Sequence, residues 1–180
     1  MKSGFIAALL GLSSLAAFAQ APVSPLATIE SLDVSRYMGT WYEIAKFPNA
    51  FQKKCMSATR AEYSIMADGT IQVTNRCKVL GGEFDAAIGT ARQVGSATSP
   101  RLKVRFAPAW LSFIPFVWGD YWIIDLDPKM QLVAVSEPRR QYLWVLSRTA
   151  KVDPEAYESL LGRLSRKGFD VHRLELTQQE

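Results

Sequence analysis

Ala61-Glu62-Tyr63-Ser64-Ile65-Met66 and Thr70-Ile71-Gln72-Val73-Thr74-Asn75-Arg76 stand on either side of the pair Asp68-Gly69. An Asp-Gly pair between two strand-like runs is a strong hairpin signal, because both central positions of a tight two-residue turn favour residues that tolerate left-handed backbone. The stretch reads as two antiparallel strands. Working outward, further runs of strand character occupy 40–46 on the N-terminal side and 83–92, 102–106, 120–127, 131–137 and 141–148 on the C-terminal side. Alternation is clearest in Leu102-Lys103-Val104-Arg105-Phe106, where apolar and basic side chains take opposite faces of a strand buried on one side. Eight short strands with turn residues between them predict an all-β fold, and eight antiparallel strands can close into a barrel with room for one small ligand.

The pattern changes after residue 150. Asp153 is a helix-capping residue, Pro154 suits the first helical position, and Tyr157, Leu160, Leu161 and Leu164 recur at helical spacing before Gly168. One amphipathic helix is expected there, packed on the outside of the barrel, since no other large apolar surface is available. Residues 169–174 read as one more short strand, and 33–38 as a helical turn ahead of the first strand.

The chain has 180 residues, 48% of them hydrophobic, and a formal net charge of +4, which fits one domain with a real core. Residues 1–19 carry Lys2 as their sole charge, an apolar run from Phe5 to Leu12, and an Ala17-Phe18-Ala19 ending, the pattern of a secretory signal peptide cut before Gln20. Residues 20–31 then form an N-terminal extension and 32–180 the folded domain. The expected location is periplasmic or secreted. No cysteine adjoins the expected cut to accept a lipid. The basic side chains are scattered, a solvated surface and not a nucleic-acid footprint. In an exported chain Cys55 and Cys77 are read first as a disulfide, the alternative being two buried free thiols. A hairpin centred on Asp68-Gly69 puts Cys77 opposite roughly residue 60, so Cys55 must curl back before its strand begins.

Gly39-Thr40-Trp41-Tyr42-Glu43-Ile44-Ala45 contains a G-x-W triplet; Gly119-Asp120-Tyr121-Trp122 and Leu143-Trp144-Val145-Leu146-Ser147-Arg148-Thr149 follow it. In this order and spacing the three segments resemble the conserved regions of the lipocalin family. Within it they are close to the bacterial, outer-membrane lipoprotein branch related to apolipoprotein D and the plant temperature-induced lipocalins. The resemblance spans roughly residues 32 to 175. It implies an eight-stranded up-and-down antiparallel barrel, a calyx, with one C-terminal α-helix outside. It also implies that Trp41 packs across the closed end with Arg148 over its ring, and that Gly39 lets the backbone enter the first strand. These three residues are expected to be structural.

No nucleotide-binding loop, activated-serine motif or metal-ligand set occurs, and the chain has one histidine, His172. We therefore expect a binding protein without catalytic residue, metal or cofactor. The run Trp110-Leu111-Ser112-Phe113-Ile114-Pro115-Phe116-Val117-Trp118 is the most unusual segment, an apolar loop with a proline that opposes regular structure. Trp110, Phe113, Phe116 and Trp118 are expected to rim the mouth of the calyx and meet an acyl chain or a membrane surface. The resemblance implies a fatty acid, phospholipid or lysophospholipid as ligand, held for membrane maintenance in the bacterial envelope by a monomer or homodimer. The competing expectations are a lipid-modifying enzyme on the same barrel and a protein-interaction module using the 110–118 loop.

Overall fold

The hairpin at Asp68-Gly69 forms, with a longer turn than the sequence predicts. Met66 N donates to Thr70 O and Gly69 N to Met66 O (2.8 and 2.9 Å), leaving three residues in the loop. Only Gly69 is left-handed, at φ +80°. Asp68 keeps negative φ because its carboxylate accepts from Thr70 N and Thr70 Oγ1 (2.9 and 2.7 Å), which closes the turn through the side chain.

The computed structural model describes residues 24–179; the predicted signal peptide at 1–19, residues 20–23 and Glu180 lie outside the described residues. Among the described residues nine strands occur in chain order: β1 Gly39–Lys46, β2 Ser57–Ile65, β3 Ile71–Lys78, β4 Phe84–Gln93, β5 Arg101–Arg105, β6 Gly119–Leu126, β7 Leu132–Ser136, β8 Leu143–Ser147 and β9 Glu175–Leu176. Each of β2 to β7 pairs antiparallel with the next, β8 pairs with β1, and β1 pairs back to β2, so eight strands close a barrel without a free edge. β9 adds beside β1 through Ala45↔Leu176 and Lys46↔Glu175. The predicted strand at 169–174 is replaced by a 3-10 turn at Val171–Arg173, because Asp170 accepts from His172 N and coils the chain before β9 begins.

The core lies in two layers on opposite sides of the barrel wall. Inside, Leu32, Trp41, Tyr63, Val73, Ile123, Val135 and Leu146 pack together. Outside, helix α2 (Pro154–Arg166) lays Leu160 and Leu164 on Ile44, Ile124, Ala134 and Val145. β7 is therefore buried on both faces. Asp153 caps α2 by accepting from Ala156 N (2.9 Å), and Arg163 clamps the helix to β6 by two hydrogen bonds to Asp125 (2.8 and 2.9 Å).

The strands alternate in direction, so the connections after β1, β3, β5 and β7 share one end of the barrel. The other end is closed by α1 (Val34–Tyr37), whose first turn is capped by the Asp33 carboxylate.

Candidate functional site

Inward-facing positions on β2, β4 and β6 carry Ala61, Ala87, Ala91 and Gly119, and these small side chains leave the middle of the barrel hollow. The resulting cavity has a volume of ≈ 960 Å³. That is the upper part of the range for ligand pockets, roughly 300–1,000 Å³. Its walls include Val73, Leu102, Val104, Phe106 and Leu146, and Asn75 interrupts them, in register with Ala61 on one neighbour and Ala87 on the other.

The floor is aromatic. Tyr37 of α1 is buried against Trp41, ring centroids 5.0 Å apart, and the Trp41 indole donates to Tyr37 O (2.8 Å). Below them the Arg148 guanidinium lies 4.0 Å from the Trp41 ring centroid and donates to Thr40 O and Arg36 O (3.0 and 2.8 Å). Gly39 sits at φ +94°, a conformation strained for any other residue, and a Cβ there would lie 3.4 Å from Arg148 Nη1. Facing the cavity, the hydroxyls of Tyr37, Tyr63 and Tyr121 meet, with Tyr121 in the middle (2.8 Å to Tyr37, 2.9 Å to Tyr63). Burial pushes all three phenols up, Tyr63 to about 12 and Tyr37 and Tyr121 well above the usual phenol value. They remain neutral donors at physiological pH.

At the mouth, Cys55 and Cys77 form a disulfide with Cα atoms 5.4 Å apart. The expected curl is made by a bulge in β2: two residues, Ala58 and Thr59, stand opposite one on β3, and Ala58 adopts φ +52°. Lys54 pairs with Asp85 at the same rim. The 106–118 connection belongs to this end as well, folded as 3-10 turns at Ala109–Leu111 and Pro115–Val117.

The four aromatic residues singled out in that loop divide. Phe116 and Trp118 border the cavity, whereas Trp110 and Phe113 do not and stand 72% and 78% exposed. Trp118 is held by the Arg92 and Arg105 guanidiniums, 4.4 and 5.1 Å from its ring centroid, and by its indole donating to Ser112 O (2.8 Å). Phe116 is 97% exposed. His172 is an exposed side chain on the 3-10 turn before β9 and does not line the calyx. Sequence reasoning missed the three tyrosines, Asn75 and the small wall residues. For the wall residues a signal was present in the phase of the strands, since Ala61 shares a face with Tyr63 at period two, as do Ala87, Gly89 and Ala91 with one another.

Comparison with known proteins places this geometry. The lipocalin-like domain matches residues 32–179. The chain is 40% identical over 152 residues to temperature-induced lipocalin-1 of Arabidopsis thaliana, covering 84% of this chain and 81% of the relative. It is 36% identical over 159 residues to the outer membrane lipoprotein Blc of Escherichia coli strain K12, covering 88% and 85%. Among solved structures, insecticyanin from the tobacco hornworm Manduca sexta superposes with a TM-score of 0.65 at 18% identity, covering 84% of this chain and 82% of that one.

Proposed function

The chain belongs to the lipocalin family, and we propose that it binds, stores or carries a fatty acid, phospholipid or lysophospholipid of the bacterial envelope in its calyx. The observation that carries this reading is the open cavity of ≈ 960 Å³ with an apolar wall. Each methylene moved from water into such a wall gains ~0.8 kcal/mol, so a long acyl chain is held without any catalytic group. We read the protein as a binder and not an enzyme. An envelope location draws on the signal-like start of the sequence and on the likeness to an outer-membrane lipoprotein.

The test is mass spectrometry of small molecules extracted from the purified native protein, with titration by palmitic acid followed through the melting temperature. A bound ligand at a hundred times its Kd stabilises the native state by about 2.7 kcal/mol. Acyl lipids in the extract and a rising Tm are the expected result. An empty extract together with an unmoved Tm overturns the reading.

The exposed Trp110, Phe113 and Phe116 support a second part of this reading, that the mouth rests on a lipid surface while the ligand enters. They lie at the open end, where Lys53, Lys54 and Arg139 are also exposed. Replacing Trp110 and Phe113 by Ser is expected to reduce sedimentation with phosphatidylglycerol-containing vesicles at least several-fold without lowering Tm. Unchanged sedimentation removes the membrane from the account, and retention of a protein partner instead favours an interaction module.

A further inference from the structure

Three phenol oxygens carry three protons, one each. The hydrogen bonds these oxygens make among the described residues are the two that meet at Tyr121, and two bonds consume two protons at most. Whichever way the hydroxyls are oriented, one O–H is left without a protein acceptor. Tyr37 is 1% exposed and Tyr63 8%, and the cluster lines the bottom of the cavity. A buried donor without an acceptor is costly, and a ligand oxygen in the right place would recover that cost.

From this count we propose that Tyr37, Tyr63 and Tyr121 form a polar subsite at the calyx floor that receives a neutral oxygen, a hydroxyl or carbonyl, carried at the leading end of the hydrophobic ligand. The proposal rests on the lipid-binding reading and specifies which lipids the calyx prefers: oxygenated chains or rings over plain hydrocarbon ends. Neutrality follows from the surroundings. Arg148, the cation beneath the floor, lies behind the Trp41 ring and turns Nη1 and Nη2 to Thr40 O and Arg36 O, so the indole stands between it and a buried anion. The donor that faces upward is therefore a phenol, suited to an uncharged acceptor. Charged head groups remain at the mouth, where Lys54 and Asp85 sit.

The experiment compares two probes, palmitic acid and its ω-hydroxy derivative, on the wild type and on the triple variant Tyr37→Phe, Tyr63→Phe, Tyr121→Phe. Replacing one tyrosine alone would still leave a free proton, whereas the triple variant removes every donor and keeps the rings. In the wild type the ω-hydroxy derivative is expected to bind at least as tightly as palmitic acid. In the variant its affinity relative to palmitic acid is expected to fall by about tenfold or more, since an unpaired hydroxyl must then be buried. A second measurement needs no variant: a chain ending in a methyl ketone, bound to the wild type, is expected to show its carbonyl stretch lowered by hydrogen bonding. An affinity ratio unchanged by the triple substitution, or an unshifted carbonyl stretch, overturns the subsite while leaving lipid binding intact. Failure of both fatty acids to bind the wild type overturns the lipid-binding reading itself, and the subsite with it.

Discussion

Arg148 shows how one side chain can matter to the fold without touching the ligand. Its guanidinium covers the Trp41 ring and ties two carbonyls, Thr40 O in β1 and Arg36 O in α1, so it fastens the floor of the calyx to the wall. Arg148→Ala removes a cation–π contact and two charge-assisted hydrogen bonds, a loss of roughly 2–4 kcal/mol. A drop of several degrees in Tm is expected with palmitic acid affinity nearly unchanged; equal melting temperatures would contradict it. The tyrosines beside it set the alkaline limit. Tyr63 ionises near 10.0 when unfolded and at about 12 when folded, because burial disfavours the phenolate, while the Arg148 charge only partly offsets burial at Tyr37. The Tyr63 contribution to stability is thus complete below pH 10 and disappears as the pH rises through about 12. Melting temperatures measured between pH 9 and 12 are expected to fall more steeply for the wild type than for Tyr63→Phe. The glycine and arginine of this end were legible as residue types in a spaced pattern. The tyrosine cluster was not, because three side chains from α1, β2 and β6 converge only after the barrel closes.

Among the elements, strands were the most legible and their ends the least. Alternation marks β5 without ambiguity, but β9 is two residues long and exists only because β1 offers it a partner at Ala45 and Lys46. The 106–118 loop was legible as an apolar connection at one end of the barrel. Its internal division was not, since 3-10 turns aim Trp110 and Phe113 outward while Arg92 and Arg105 hold Trp118 in place. The register of β2 with β3 likewise needed coordinates, because the bulge at Ala58 and Thr59 brings Cys55 within reach of Cys77. That disulfide ties the β1–β2 connection to β3 at the mouth. Reducing it, or replacing both cysteines by Ser, is expected to lower stability by about 2–4 kcal/mol. It should also quicken hydrogen exchange in the 50–56 segment more than at the closed end. A uniform change in exchange would show that the bond does not act locally.

Across the whole molecule, stability and function use different parts of the same wall. The interior cluster fills the closed half, α2 buries a second cluster on the outside, and the upper half of the barrel is held by backbone ladders and the disulfide around an unfilled space. Such a division predicts that the hollow can be obstructed at little cost to folding. Ala87 faces the cavity from β4, opposite Asn75 in register and outside both packed clusters. Ala87→Trp is expected to leave the Tm of the unliganded protein unchanged or higher, because added apolar contacts replace an exposed concave wall. The same substitution occupies the path of an acyl chain, so palmitic acid affinity is expected to fall at least about tenfold, through lost burial of a few methylenes. The two readouts move apart only if the interior is hollow by construction. A variant that unfolds would show instead that the space is needed for packing, and one that binds palmitic acid as before would place the ligand somewhere other than the calyx.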